Sequence, residues 1–193
     1  MASGKVFRRG FYERDPALVA RELLGKLLIL ESQGGFLGGV IVETEAYYGL
    51  EDPASRAYRG MKEYNRLMWG EPGRVFIYNV HRYWMLNIVA HEAGGVGAVL
   101  IRALEPTHGV AVMMKNRPVD DDRQLTSGPG KLTVALDVDR RLMGSDVTRL
   151  DSEIRVLDRE VNFDVGTSNR IGVRLDLEKE LRFYVMGNGY VSR

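Results

Sequence analysis

The sequence predicts an α+β fold, with a curved, mostly antiparallel sheet and flanking helices. Three observations predict it. Strand-like and helix-like segments follow one another in a mixed order, without regular alternation. Two apolar runs, "KLLILE" and "FLGGVIVETEAY", flank the turn "SQGG", which makes residues 26 to 47 a hairpin. The length of 193 residues suits one domain able to bury a substantial core. Residues 1–193 are therefore expected to form a single domain.

The elements follow in order. "RDPALVARELLG" reads as a helix: Asp15 can cap it, Pro16 suits its first turn and Gly25 can end it. After the hairpin, residues 49 to 73 are loop-rich, opening on "GLEDPASRAYRG" and closing on "GEPG". A loop of that length in a compact domain is usually functional or mobile. "RVFIYNV" and "YWMLNIVAHE" are the third and fourth strands, and "AVLIRALEP", entered through the turn "AGGVG", is the fifth. "THGVAVMMKNR" has a helical apolar pattern and stops at Pro118. "TSGPGKLTVALDV" is a helix entered through Gly128 and Pro129. "EIRVLD", "RIGVR" and "LRFYVMG" return to strand.

Composition excludes several function classes. There is no cysteine, so disulfides, thiolate metal sites and cysteine nucleophiles are ruled out. The three histidines, His81, His91 and His108, are not at ligand spacing, which disfavours a zinc site. No apolar run approaches the ~20 residues a membrane span needs, and "MASGKVFRRG" lacks the apolar region of a secretion signal. A cytoplasmic protein is expected. The net charge of +1 decides nothing about partners, because distribution matters more than the sum. One stretch is lopsided: Arg56, Arg59, Lys62, Arg66, Arg74 and Arg82 face only Glu63 and Glu71, with Tyr58, Tyr64, Trp69, Phe76 and Tyr78 interleaved. Bases mixed with aromatics suit a phosphate backbone and stacked nucleobases, or a solvated loop whose aromatics turn inward.

"VETEAYYG", residues 42 to 49, places two acids at the end of a core strand. Strict alternation puts Val40, Val42, Thr44 and Ala46 on one face and Ile41, Glu43, Glu45 and Tyr47 on the other. Taken alone, the acids could simply be the hydrated end of a strand.

Eight stretches together carry a resemblance: "VETEAYYG", "DPASRAYRG", "EPGRVFIYNV", "WMLNIV", "AVLIRALEP", "SGPGKL", "RIGV" and "RFYVMGNGYVS". In this order and spacing the chain resembles the alkyladenine, or 3-methyladenine, DNA glycosylases of the methylpurine glycosylase type. The resemblance implies an α+β domain that uses no cofactor or metal and acts as a monomer on double-stranded DNA. It implies excision of alkylated purines such as 3-methyladenine, with hypoxanthine and ethenoadenine as further candidates. In a prokaryote it implies a place in the cytoplasm at the nucleoid.

Cutting an N-glycosidic bond makes an oxocarbenium-like sugar, to which water adds from the face opposite the departing base. A carboxylate can take the water's proton and stabilise the cation. The base must first leave the duplex stack. The resemblance assigns the water-activating role to Glu45, with Arg102 holding the water and Glu45 through charge-assisted hydrogen bonds. Glu43 is left as a structural or supporting acid. Tyr47 and Tyr78 would stack on the flipped base. Asn87 would screen the purine edge, or pin a strand as a buried amide. Arg59 and Lys131 are expected at the DNA; Lys131 follows "SGPG" at a helix start, which suits a phosphate or a structural carbonyl. No lysine fits the role of amine nucleophile, so a monofunctional enzyme leaving an abasic site is expected.

Two departures stand out. Arg56 occupies a position that is usually histidine in the family and touches the base. Always charged and longer, it would either repel a cationic alkylated purine or swing outward to a phosphate. The interval after Tyr78 is one residue shorter than usual, so His81 falls where a tyrosine wedge is expected, with Tyr83 as its competitor. These departures raise one alternative, a lesion-binding relative without turnover. Another is an RNA-binding fold relative, against which Glu45, Tyr47, Arg102 and Asn87 together argue.

Overall fold

The computed structural model describes residues 4–192. Met1–Ser3 and Arg193, the ends of the expected 1–193 span, lie outside the described residues.

A short helix that the sequence does not announce, α1 (Arg9–Tyr12), precedes α2 (Pro16–Glu22). The Asp15 side chain caps α2, accepting from the N–H groups of Ala17 and Leu18 at 2.8 and 3.1 Å. Gly25, at φ +76°, turns the chain into the hairpin of β1 (Leu27–Ser32) and β2 (Gly35–Tyr47). The loop after it contains a 3-10 turn over Glu63–Trp69. Then come β3 (Val75–Val80), β4 (Tyr83–Val89) and β5 (Ala98–His108). Helices α3 (Val110–Asn116) and α4 (Pro129–Ala135) follow, then β6 (Ile154–Leu157), β7 (Val165–Ser168) and β8 (Arg182–Val185).

The strands form one sheet in the order β3-β4-β5-β2-β1-β6, with β8 also on β2 and β7 on β8. Every ladder is antiparallel, and the fold is α+β as expected. Strand β2 is the hub. Its first half pairs with β1; from Glu43 onward it pairs with β8 instead. Gly38 and Gly39 permit the crowding there: a Cβ would lie 2.1 Å from the Leu28 carbonyl oxygen at the first and 2.2 Å from that of Glu105 at the second.

Strict alternation along β2 fails at one place. Ile41 pairs with Leu104, Glu43 with Ala103 and Thr44 with Ile101, leaving Val42 and Arg102 as extra residues on their strands. A bulge re-aims side chains. Ile41, expected beside Glu43, instead joins Ala46 in the main core. That core lies between the sheet and the helices and includes Val19, Leu28, Leu86, Ile101, Met113 and Leu132. Tyr47, Met85 and Leu100 form a separate apolar cluster with Tyr78.

One predicted strand is absent. "RIGVR" is irregular, and β7 is instead "VGTS" just before it. The Arg170 side chain and the Ile171 N–H bond to carboxylates elsewhere, not to a neighbouring strand, and Gly172 sits at φ +76°. Among the described residues, no helix is long and apolar enough to cross a membrane.

Candidate active site

A cavity of about 670 Å³ opens beside the end of β2. Tyr47, Tyr78, Met85, Leu100 and Arg102 line its inner part, with the loop from Pro53 to Tyr64 on one side and Ile171–Leu175 on the other.

Glu43 and Glu45 are both fully buried. Glu45 does not itself line the cavity; it touches three residues that do. The Tyr47 hydroxyl donates to Glu45 Oε2 at 2.7 Å, and Arg102 Nη1 lies 3.3 Å from the same oxygen. The Ile171 N–H donates to Oε1 at 2.7 Å. Burial pushes the Glu45 carboxyl above its ordinary pKa, outweighing Arg102, the Ile171 N–H and Tyr47. Burial acts the same way on Glu43, but four donors overcome it. Arg102 Nε and Arg182 Nε reach Glu43 Oε1 at 2.8 Å each; the Ser192 hydroxyl reaches it at 2.7 Å and the Ser192 N–H reaches Oε2 at 2.6 Å. Glu43 is therefore held below the usual carboxylate range. Two neighbouring acids pushed apart in this way can divide roles, one permanently ionised and one able to exchange a proton. Burial and Glu45 push Tyr47 well above the ordinary tyrosine value, so its hydroxyl stays a donor.

Tyr47 has a partner that sequence reading missed. The Arg170 guanidinium carbon lies 4.5 Å from the Tyr47 ring centroid. Arg170 is clamped by Asp52 through two contacts of 2.7 Å, by Asp176, and by the Ala46 carbonyl at 2.9 Å. This clamp fixes the segment that delivers the Ile171 N–H to Glu45. Its sequence signal was available: an arginine opening the "RIGV" stretch and an aspartate opening "DPASRAYRG". Neither residue carries a sign of burial on its own. Ile171, Arg182 and Ser192 were also missed, because backbone donors and ion pairs across 126 to 149 positions leave no local pattern.

Tyr78 is covered by Arg56, whose guanidinium carbon is 4.5 Å from the ring centroid. Both line the cavity. Asn87 is buried and does not line it; its amide donates to the carbonyls of Phe76 and Met85 at 3.2 and 3.0 Å.

His81 and Arg82 form the two-residue turn between β3 and β4, and both are exposed. His81 has a left-handed backbone, at φ +54°. Tyr83 lies against the start of α4: a Cβ on Gly130 would stand 2.9 Å from the Tyr83 Cβ and Cγ. Both wedge candidates are exposed; Tyr83 has its inner atoms against the start of α4, and His81 stands at the hairpin tip. Lys131 is engaged with Gln124 and Ser127 and does not line the cavity, although Pro129 does.

Arg56, Arg59, Lys62 and Arg174 border the cavity, and among the described residues none forms an ion pair. Arg74, Arg141 and Arg149 do pair with carboxylates. Four cations without a carboxylate partner among the described residues thus stand together around the cavity mouth. Among the described residues there is no group of three or more histidines and acids that could hold a metal ion.

The sequence model of the methylpurine-DNA glycosylase family matches residues 10–189. A protein of Aeropyrum pernix is 42% identical, covering 98% of this chain and 94% of its own length. One from Mesorhizobium japonicum is 41% identical over 92% and 86% of the two chains. One from Latilactobacillus sakei subsp. sakei is 39% identical over 94% and 88%. All three are provisionally named 3-methyladenine DNA glycosylases.

Proposed function

The chain belongs to the methylpurine-DNA glycosylase family, and from that membership we propose that it hydrolyses the N-glycosidic bond of damaged purines flipped out of double-stranded DNA. Residues 1–193 act as one DNA-repair domain and work as a monomer. The observation that carries this reading is the buried Glu45, which touches both Tyr47 and Arg102 at the cavity wall and whose carboxyl burial pushes above its ordinary pKa. The flipped base enters beside Tyr47 and Tyr78. Water held with Arg102 gives a proton to Glu45 while its oxygen bonds to the anomeric carbon. The bond from that carbon to the purine nitrogen breaks, and its electron pair leaves with the base. Glu43 stays ionised and fixes Arg102. Arg59, Lys62 and Arg174 take the phosphates flanking the lesion, and His81 fills the vacated stack. Asn87, which bonds to strand carbonyls, sets the shape of the floor from below.

The test is single-turnover base release without added metal. The substrates are duplexes carrying one hypoxanthine or one ethenoadenine, and methylated genomic DNA. Free base with an intact abasic strand is expected. Lesion binding with no release from any substrate would instead favour a relative that has lost turnover.

The acid limb of the pH–rate profile should sit above the ordinary carboxylate range. Glu45 must be ionised to accept a proton, and burial raises its pKa. Activity is therefore lost as pH falls through that raised value, while Glu43, held low, stays ionised throughout. A profile flat across the ordinary carboxylate range and the pH units above it would contradict this assignment.

His81→Ala should weaken lesion-duplex binding by on the order of 1–3 kcal/mol, the worth of a stacking contact, and single-strand binding much less. Equal losses on both would mean that His81 meets the backbone.

A further inference from the structure

We infer that Arg56 sets the lesion preference of the slot, favouring neutral purines, which depart with negative charge, over purines made cationic by alkylation. This rests on the glycosylase reading above.

Five guanidinium groups border or underlie the slot: Arg102 and Arg170 are neutralised, Arg56, Arg59 and Arg174 have no carboxylate partner among the described residues, and of those three it is Arg56 that stacks on a wall tyrosine. Arg102 is paired with Glu43 and Glu45 at 2.8 and 3.3 Å. Arg170 is clamped by Asp52 at 2.7 Å and by Asp176. Arg56 has no carboxylate partner among the described residues, lines the cavity and lies 4.5 Å from the Tyr78 ring centroid. Tyr47 and Tyr78 share an apolar floor of Met85 and Leu100. A purine resting on that floor meets a planar cation already stacked on one wall.

The charge movements then fix the sign. An N-alkylated purine is positive before the bond breaks and neutral afterwards, its charge having passed to the sugar. Arg56 opposes the bound state more than the transition state, so it weakens binding without slowing cleavage. A neutral purine takes the electron pair of the broken bond and becomes an anion, which solvent then protonates. Arg56 stabilises that transition state and leaves the neutral bound state nearly untouched. The penalty on cationic lesions falls on the half-saturating concentration, and the gain on neutral lesions falls on the rate constant.

The experiment is single-turnover kinetics of wild type, R56Q and R56K on matched duplexes carrying one hypoxanthine or one 7-methylguanine. For R56Q the half-saturating concentration for 7-methylguanine should fall about tenfold, and the rate constant for hypoxanthine should fall about tenfold. R56K, which keeps the charge, should stay near wild type in both. Equal changes on the two lesions would overturn the inference. So would an equal loss of affinity for damaged and undamaged duplex with the salt slope reduced by about one, the mark of a phosphate contact. Release of neither base by wild type, with base still freed from methylated genomic DNA, would also overturn the inference, whereas no release from any of the three would bring down the glycosylase reading itself.

Discussion

Glu45→Gln should lower single-turnover base release roughly a thousandfold while leaving lesion-duplex affinity within about threefold of wild type. Glutamine has the same shape, and its carbonyl oxygen can still accept the Ile171 N–H that reaches Glu45 at 2.7 Å. Its amide end can donate to the Tyr47 oxygen in place of accepting from it. What it cannot do is take a proton from water. Glu43 is no substitute, because Arg102, Arg182 and Ser192 hold its carboxyl below the usual range, which makes it the weaker base. Quantifying released base and measuring lesion binding by anisotropy separates the two effects. Turnover at the wild-type rate would remove Glu45 from the mechanism.

Arg170→Met should lower stability by about 3–5 kcal/mol, because it strands a buried carboxylate. At this chain length that corresponds to a fall of roughly 10 °C in melting temperature. The side chains of Arg170 and Asp52 are both fully buried. Methionine fills the space but leaves Asp52 with only the N–H groups of Tyr48 and Ala54, at 2.9 and 3.0 Å. Adding Asp52→Asn to Arg170→Met should cost little more, since the charge it removes is by then unpaired. Thermal and urea unfolding of the two single variants and the double would measure this coupling. A loss under about 1 kcal/mol for Arg170→Met would show that water reaches Asp52 without difficulty.

Much of this was legible in the sequence. The hairpin over residues 26 to 47 announces itself by two apolar runs and a Gly-rich turn, and α2 by Asp15 and Pro16, because caps and turns are local chemistry. Tyr47, Tyr78, Arg56 and Arg102 line one cavity, whereas Glu45 and Asn87, expected at the same pocket, lie behind its wall. The bulges at Val42 and Arg102 were not legible, since an extra residue in a ladder has no compositional mark. For that reason the alternation rule put Ile41 on the wrong face. "RIGVR" looked like a strand by its apolar residues, yet Arg170 spends its donors on Asp52, Asp176 and Ala46. No window of the sequence shows that Asp52 and Arg170, 118 positions apart, neutralise each other.

The bonds that hold the two acids also say when in folding the site appears. The Ile171 N–H closes a span of 126 residues onto Glu45, and Ser192 closes one of 149 onto Glu43. Closing such long spans carries an entropic cost that is met only after nearer contacts have formed. The β1–β2 hairpin can form early; the divided pair of acids cannot. Until the last segments dock, Glu43 and Glu45 are two hydrated carboxylates of ordinary acidity. A partly folded chain therefore lacks the buried, raised Glu45 carboxyl on which the proposed chemistry rests.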